Sequence, residues 1–381
     1  MSALPKTPMS GALRLQAVCK RFGAAQVLTD VGFEAAPGEV VAISGPSGAG
    51  KSTLARLVSG LESVDSGEIH IGARTVQGLP PQRRHVAHMF ESFALYPTLN
   101  VFENVASPLR SPAHAGRVEP GSIPARVREV LELTQIAHLA ERKPSALSGG
   151  QKQRVALCRT LVQSPDLFIL DEPIGHLDAK LRHTLRGEIR RRQREREQAT
   201  VWITPDAVEA MAIADRIVML VGGRVRQIGT AADIFLRPAD VDVARLVGDP
   251  AMNLLDLSLQ ASEAGPVLHI QGRRLPCPAE LAARLSQHAA GSYVLGIAPL
   301  HCRLQSGVAG YGAAGITLAG EVYAIEPFGK YTLVTVDVGG AQVRVKEAPS
   351  FDGAIGQAVS VAFAHESLLL FDGVSGLNLN L

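Results

Sequence analysis

The sequence of 381 residues lacks the features that mark a secreted, membrane-spanning or disulfide-stabilised protein. Its four cysteines are scattered without metal-ligand spacing, which indicates buried thiols in a reducing compartment. No apolar run approaches the roughly 20 residues of a transmembrane helix, and the N-terminus has no basic segment followed by an apolar core. We therefore expect neither a membrane span nor a signal peptide, so work at a membrane would require another subunit as anchor.

Aromatic residues and net charge are also scarce. Phe, Trp and Tyr make up 4% of the chain and the formal net charge is +2, so no global field attracts nucleic acid or anionic lipid. One basic run, Arg190–Glu197, invites a nucleic-acid interpretation. Because Glu interrupts the run and no aromatic residue interleaves, we favour a solvated helix face and expect no nucleic-acid partner.

The chain does contain a segment that reads G-x-x-x-x-G-K-S, placed between the apolar run Glu39–Ile43 and a helical stretch. Glycines there let successive backbone N–H groups face phosphate oxygens, and the helix N-terminus adds positive charge. A glycine-rich turn that binds nothing is the alternative, which the Lys and Ser disfavour. The predicted ATP-binding residues are Phe22, Gly45, Pro46, Ser47, Gly48, Ala49, Gly50, Lys51, Ser52 and Thr53.

Three of these residues have distinct predicted roles. Lys51 would reach the β- and γ-phosphates, and the Ser52 hydroxyl would hold Mg²⁺. Phe22 follows an alternating strand pattern and stands on a turn, where an aromatic ring can stack on a base. Packing of Phe22 in the core is the alternative.

A second apolar strand, Leu167–Leu170, ends in two carboxylates. Open α/β sheets bind ligands at this end of their strands, so Asp171 is predicted to hold Mg²⁺ and Glu172 to orient or deprotonate the attacking water. A helix-capping Asp-Glu pair is the alternative.

The pattern changes to turns and helices from Gly78 to about Leu161, with a helix predicted over Ile123–Ala140. We place an inserted helical subdomain at about residues 90–162. It includes Ser148, Gly149, Gly150 and Gln151 ahead of a helix, which is a second anion-binding end. Two arrangements are open. Either this helix end and the loop Gly45–Ser52 face the same nucleotide, or each faces a nucleotide that is shared with another chain.

Composition shifts again after about Arg245, where short alternating strands are punctuated by Gly and Pro. This pattern predicts a small β-barrel domain without a catalytic cluster. We expect an ATP-binding domain over residues 1–245 and a β-domain over 246–381. Strands are predicted at 267–270, 293–297, 316–325, 331–338, 342–346, 359–363 and 367–371.

Together these segments resemble the ATP-binding subunit of an ABC transporter. Gly45–Ser52 looks like its Walker A motif, Phe168–Glu172 like Walker B and Leu147–Gln151 like the family signature. His176-Leu177-Asp178 is similar to the loop after Walker B, so Asp178 would belong to a dimer contact. The resemblance implies an α/β P-loop ATPase core with a helical subdomain, followed by an all-β, OB-like (TOBE-type) regulatory domain.

Further segments look like the carbohydrate-importer branch, the maltose and glycerol-phosphate type. They are Phe93–Pro97, Arg237–Ala239, Met252–Leu255, Gly320–Gly329 and Leu370–Gly373. This implies a peripheral ATPase on the cytoplasmic face of a bacterial inner membrane, using ATP and Mg²⁺. Its partners would be two membrane-spanning permease subunits and, indirectly, an extracytoplasmic solute-binding protein. Such subunits dimerise head to tail, so that the signature of one chain covers the Walker A loop of the other.

Two positions depart from the family pattern. Glu91 stands where the family has Gln, and Pro205 stands where it has a His that contacts the γ-phosphate. Glu91 can still be a ligand of Mg²⁺, whereas Pro205 has neither a side-chain donor nor a backbone N–H. Because the signature is intact, we expect an asymmetric heterodimer in which this chain's own site is slow. A homodimer in which Glu172 suffices is the alternative.

Three other functions remain open at this stage. The same machine could import polyamine, metal or oxyanion rather than a sugar, polyol or glycerol phosphate. A soluble ABC ATPase of repair or translation is disfavoured by Phe93–Pro97 and by the single nucleotide module. A regulatory subunit with structural ATP is disfavoured by Asp171 and Glu172 and favoured by Glu91 and Pro205.

Overall fold

The computed structural model describes residues 13–111, 118–175, 177–260, 266–277, 279–286, 291–305, 311–312, 315–363 and 367–379. The chain forms two compact units, Met1–Ala231 and Ala232–Leu381. The predicted role of His176 lies outside the described residues. No helix among the residues described has the length and apolar character that a membrane crossing requires.

The first unit combines two sheets with surrounding helices. Its strands are β1 (Leu13–Phe22), β2 (Ala25–Ala35), β3 (Val40–Ser44), β4 (Ser66–Ile71), β5 (Arg74–Thr75), β6 (Val86–Met89), β7 (Leu167–Asp171), β8 (Ala199–Thr204), β9 (Arg216–Val221) and β10 (Arg224–Gly229). Its helices are α1 (Lys51–Ser59), α2 (Pro81–Arg84), α3 (Val101–Ala106), α4 (Ile123–Leu133), α5 (Gly149–Leu161), α6 (Ala179–Arg196) and α7 (Ala207–Ile213).

A six-stranded sheet of order β10-β9-β3-β8-β7-β6 places the chemistry-bearing loops together. Strands β3, β6, β7, β8 and β9 run parallel, and β3 and β7 are buried along their whole length. Buried parallel strands read as continuous apolar runs, which is why the sequence revealed both. The loops after β3, β6, β7 and β8 therefore leave from one edge of the sheet. A smaller antiparallel sheet of order β2-β1-β4-β5 packs in the same core as β3.

Two boundaries of the helical segment differ from the sequence prediction. Strand β6 pairs with β7 in the main sheet, so the segment from Gly78 does not begin as a helical insertion. A four-residue strand is too short for its periodicity to be recognised. The helix predicted to reach Ala140 ends at Leu133, because Gln135 adopts a left-handed conformation with φ of 59°. A short 3-10 turn follows at Ala137–Leu139.

The second unit contains two wholly antiparallel sheets. Its strands are β11 (Asn253–Gln260), β12 (Val267–Ile270), β13 (Arg273–Pro276), β14 (Ser292–Ile297), β15 (Cys302–Gln305), β16 (Tyr311–Gly312), β17 (Gly315–Pro327), β18 (Thr332–Asp337), β19 (Gln342–Glu347), β20 (Ala358–Phe363) and β21 (Leu369–Asp372). The orders are β13-β12-β11-β14-β21 and β15-β20-β17-β18-β19, with β16 paired to β17.

Apolar residues from both of these sheets form one core, so the all-β prediction for this region is confirmed. Helices α8 (Ala231–Leu236) and α9 (Val241–Leu246) precede the sheets, and α10 (Ala279–Ser286) lies between β13 and β14. The sequence had not indicated α10, because its eight residues offer only two helical turns.

Candidate functional site

The loop between β3 and α1 is shaped by glycine. A side chain at Gly45 would place its Cβ 1.9 Å from the Leu220 carbonyl oxygen, and one at Gly50 would meet Leu28 Cδ2 at 2.6 Å. Gly50 also has a φ of 99°, which residues with a Cβ rarely adopt. The backbone of this loop is therefore held close to its neighbours, while its rim of Pro46, Ser47 and Gly48 is exposed.

Lys51 lies inside this loop. Its ammonium Nζ donates to the Gly45 carbonyl at 2.8 Å and to the Pro46 carbonyl at 2.9 Å, and the residue is 8% exposed. Burial lowers the pKa of Lys51, whereas the carboxylates of Glu172, Asp171 and Glu91 oppose that shift. A cation held under a ring of backbone N–H groups can bind the terminal phosphates of a nucleotide.

Three residues from distant parts of the sequence line one cavity of about 300 Å³. Ser52 comes from the start of α1, Glu91 follows β6, and Asp171 ends β7. Burial raises the pKa of Asp171 to about 6, a hydrogen bond with Ser52 opposes this shift, and Glu91 adds to it. The cavity thus gathers a hydroxyl and two carboxylates, which are oxygen ligands of the kind that Mg²⁺ takes.

Glu172 is held by its backbone at the end of β7. Its N–H donates to the Ile203 carbonyl at 2.9 Å, and its carbonyl accepts from Gln153 Nε2 at 2.8 Å. Its φ of 47° is left-handed, a conformation that persists where surrounding contacts impose it. Gln153, a fully buried residue of α5, was missed by sequence reasoning, because in the sequence it stands between Lys152 and Arg154 and gives no sign of burial.

Pro205 follows β8 at the same sheet edge and is exposed. The register pairs Ser44, directly before Gly45, with Thr204. The next residue, Asp206, caps α7 by accepting from the Val208 N–H at 2.8 Å. Position 205 therefore lies beside the phosphate loop and offers no hydrogen-bond donor.

The Phe22 ring is 45% exposed, so the alternative of core packing is wrong. Lys20 lies beneath it with Nζ 4.9 Å from the ring centroid, and donates to the Ser63 carbonyl at 2.8 Å. Lys20 is paired in register with Leu28, the residue that touches Gly50. The β1–β2 hairpin thus presents the exposed ring of Phe22 near the phosphate loop. The contact of Lys20 with this ring was not predicted from the sequence.

The signature residues form the N-terminus of α5. Ser148 caps the helix by accepting from the Gln151 N–H at 3.3 Å, and Gln151 Oε1 accepts from the Ser148 N–H at 2.9 Å. Gly149 has no atom within 4 Å of a built Cβ, and Gly150 follows it in the first turn. The described residues that line the cavity of Ser52 and Asp171 include none of these four.

Two further predicted features have local structural roles. Asp178 caps α6 by accepting from the Leu181 N–H at 2.9 Å. Arginines of the basic run pair with carboxylates, as in Arg190 with Asp215 at 2.6 Å and Arg191 with Glu195 at 2.6 Å. These ion pairs agree with the interpretation of the basic run as a charged helix surface.

Replacing Asp171 with Asn is expected to stabilise the nucleotide-free protein at pH 7.5 by about 1–3 kcal/mol in the free energy of unfolding. The folded-state pKa of about 6 lies above the ordinary aspartate pKa of 3.8, so the wild type loses stability as the pH rises through this window. Denaturant unfolding at pH 7.5 and 5 tests this, because the advantage of Asn should shrink at pH 5, where Asp171 is protonated. An advantage that is equal at both pH values would contradict the prediction.

Comparison with known proteins agrees with this geometry. Residues 28–175 match the model of the ABC transporter family, and residues 295–371 match the TOBE domain. The maltose/maltodextrin import ATP-binding protein of Escherichia coli K12 is 40% identical over 331 residues, which cover 86% of this chain and 85% of the relative. The sn-glycerol-3-phosphate import ATP-binding protein of Cupriavidus metallidurans is 36% identical, covering 96% and 97%.

Solved structures show the same core. The dimeric structure of a bacterial ABC transporter cassette superimposes with a TM-score of 0.54 at 30% identity, covering 57% of this chain and 98% of that one. A post-hydrolysis state of that cassette with ADP and phosphate matches equally well. The relatives found by sequence cover up to 96% of this chain, and the solved cassettes cover 57% of it. The chain therefore belongs to the ABC transporter family, as a nucleotide-binding ATPase subunit of the importer type.

Proposed function

We propose that this chain powers the import of a carbohydrate-like solute and that it works in an asymmetric dimer with a second, different ATPase chain. The solute class follows from relatives that are named as import proteins for maltose/maltodextrin and for sn-glycerol-3-phosphate. The asymmetry rests on two observations at one sheet edge: Glu91 shares the cavity of Ser52 and Asp171, and Pro205 offers no hydrogen-bond donor.

The residues of this chain divide the work at its own site. Lys51 binds the terminal phosphates, and Ser52, Asp171 and Glu91 hold Mg²⁺, which neutralises charge on the phosphates when it is bound. Among the described residues no three His, Cys, Asp or Glu side chains could hold a metal by themselves. This fits an ion that takes its other ligands from nucleotide and water. Glu172 orients the attacking water.

Glu91 and Pro205 make this site slow. A second carboxylate beside Asp171 adds negative charge where the γ-phosphate already carries it. A proline at position 205 leaves the developing charge of the transition state without one donor, and such a loss costs about 10²–10³ in rate in other enzymes. The site consequently holds nucleotide and hydrolyses it slowly.

The signature acts on the other chain's nucleotide. Ser148 uses a lone pair of its hydroxyl to cap α5, so its proton is available to a phosphate oxygen. The N–H groups of Gly149 and Gly150 lie in the first turn of α5, where the helix dipole favours an anion. Asp178, exposed at the start of α6, would lie in the dimer contact.

Two membrane-spanning permease subunits hold this chain at the cytoplasmic face of the inner membrane, and an extracytoplasmic binding protein supplies the solute. A groove of about 560 Å³ offers them a surface, lined in part by Phe90, Ala94, Tyr96 and Arg159. It contains part of the segment Phe93–Pro97, and Tyr96 is 51% exposed.

We assign ATP binding to residues 1–245 and regulation to the β-domain, 246–381.

Replacing Phe22 with Ala is expected to weaken ATP binding by about 5- to 150-fold, because base stacking contributes about 1–3 kcal/mol. Binding of inorganic tripolyphosphate, which has no base, should be unchanged. Calorimetric titration of both ligands measures the difference. Equal losses for both ligands would show that Phe22 does not contact the base.

Subunit composition tests the proposed dimer directly. The chain would be tagged, its complex extracted gently from source membranes, and the co-purifying subunits identified and quantified by mass. A second ATPase chain in equal amount beside two membrane proteins supports the proposal. Two copies of this chain alone would show that Glu91 and Pro205 permit productive hydrolysis and would refute the asymmetry.

A further inference from the structure

The segment of residues 90–96, here called the Glu91 loop, adopts a conformation that its side chains disfavour. Phe93 and Ala94 are consecutive non-glycine residues with φ of 64° and 45°. A left-handed residue brings its Cβ close to the following carbonyl oxygen, and two in succession are rare outside glycine. Within the loop, backbone bonds run from the Phe93 N–H to Phe90 at 2.9 Å and from the Ala94 N–H to Ser92 at 2.7 Å.

One side chain from outside the loop binds both strained residues. Arg159 donates from Nη2 to the Phe93 carbonyl and from Nη1 to the Ala94 carbonyl, each at 2.7 Å. Its guanidinium also lies 5.7 Å from the centroid of the Tyr96 ring. Charged donors form stronger hydrogen bonds than neutral ones, and the planar fork of Arg holds its two donors in a fixed geometry, whereas the ammonium of Lys is a point donor.

Arg159 belongs to the same helix as the signature. Helix α5 begins after its cap, Ser148, and Arg159 lies in its last turn. At 1.5 Å per residue the two positions are about 16 Å apart along one rigid element. The fork of Arg159 therefore connects the end of α5 to the loop that carries Glu91.

We propose that Arg159 is a positioning residue: it holds the Glu91 loop in its left-handed conformation and so keeps Glu91 in the cavity of Ser52 and Asp171. Without the fork the two carbonyls lose their charged donor, and the loop relaxes toward ordinary backbone conformations. Glu91 then leaves the cavity, and the groove wall formed by Ala94 and Tyr96 changes with it. The effect on the metal rests on the proposed function, whereas the effect on the loop does not.

Hydrogen–deuterium exchange of the full chain without nucleotide tests the loop by itself. In Arg159→Gln the amides of Phe93 and Ala94 are expected to exchange roughly 10- to 100-fold faster, because two charged hydrogen bonds are lost. Arg159→Lys should give a smaller increase, since an ammonium is a point donor. Arg126→Gln removes an Arg that donates to Ser164 Oγ at 3.0 Å, and it serves as the matched control. Unchanged exchange in Arg159→Gln would overturn the proposal.

A second variant distinguishes release of backbone strain at Ala94 from a general increase in the mobility of the Glu91 loop. Glycine adopts the left-handed region freely, so Ala94→Gly should reduce the additional effect of Arg159→Gln by severalfold or more. Full additivity of the two changes in exchange would show that Arg159 does not hold a strained backbone. If Arg159→Gln fails to fold, the same comparison of single and double variants can be made with Arg159→Lys.

The consequence for Glu91 has its own measurement. In the assembled complex, with the partner chain's site silenced so that hydrolysis reports this chain's own site, the Mg²⁺ concentration for half-maximal ATPase activity is expected to rise severalfold in Arg159→Lys and to stay unchanged in Arg126→Gln. A variant whose loop exchanges faster while its Mg²⁺ requirement is unchanged would overturn the positioning of Glu91. The exchange result stands whether or not the complex proves to be an asymmetric importer. Failure of the proposed role of Arg159 can therefore be distinguished from failure of the proposed function.

Discussion

Replacing Glu91 with Gln and Pro205 with His together is expected to raise the rate of ATP hydrolysis at this chain's own site by about 10²–10³-fold. The first change removes a carboxylate from the cavity that Asp171 and Ser52 line. The second adds an imidazole donor at an exposed position beside the phosphate loop, where a longer side chain has room. The two gains need not add, because both act on the same phosphate.

The measurement is single-turnover release of phosphate from the purified complex with the partner chain's site silenced. Two control variants change the same positions without supplying the expected groups. Glu91→Asp keeps the charge, and Pro205→Ala restores the backbone N–H without a side-chain donor, so each should alter the rate only a few-fold. An unchanged rate in the double variant would refute the idea that these two residues slow the site.

Replacing Gly149 with Asp is expected to lower transport-coupled ATP hydrolysis by about 100-fold or more, since losing the electrostatic stabilisation of a transition state has this magnitude. A carboxylate at the N-terminus of α5 would face the partner's γ-phosphate and repel it. A side chain at Gly149 meets no atom within 4 Å, so the fold of this chain should not change. Its own affinity for ATP and its melting temperature are expected to stay at the wild-type values.

A matched control is present in the same unit. Gly187, in the exposed part of α6, likewise has no atom within 4 Å of a built Cβ, so Gly187→Asp makes the same substitution away from the signature. This variant should retain hydrolysis and transport. If Gly149→Asp lowers the chain's own ATP affinity instead of turnover in the complex, then the signature serves its own nucleotide and the head-to-tail arrangement is wrong.

The two experiments also support each other. In an asymmetric dimer Gly149→Asp silences the site on the partner chain and leaves the site of Lys51 and Glu172 intact. The residual rate then reports this chain's own turnover, which is the quantity that the Glu91 and Pro205 variants are designed to raise. In a homodimer Gly149→Asp would silence both sites, and no residual rate would remain to be raised.

Sequence reasoning succeeded where a function depends on contiguous residues. The loop Gly45–Ser52 and the signature Ser148–Gln151 need only a turn and the first turn of a helix, so spacing along the chain implies their geometry. The strands before Gly45 and Asp171 were recognised because parallel strands buried on both faces are apolar throughout. The ABC family and the fold class could therefore be predicted and are confirmed.

Sequence reasoning failed where local signals are short. Strand β6 has four residues and was assigned to a helical segment, although it delivers Glu91 to the sheet edge. The end of α4 was placed seven residues too late, because a left-handed Gln135 gives no pattern of its own. In both cases pairing or packing with distant residues decides the structure, and short-range periodicity does not record it.

The sequence by itself thus determined the family, the phosphate loop, the signature and the two departures at Glu91 and Pro205. Only the tertiary structure decided that Gln153 and Arg159 hold the backbones of Glu172 and the Glu91 loop. The physical reason is the range of the interactions. Motifs are built from neighbours along the chain, whereas these contacts join α5 to loops that are 19 and 65 residues away.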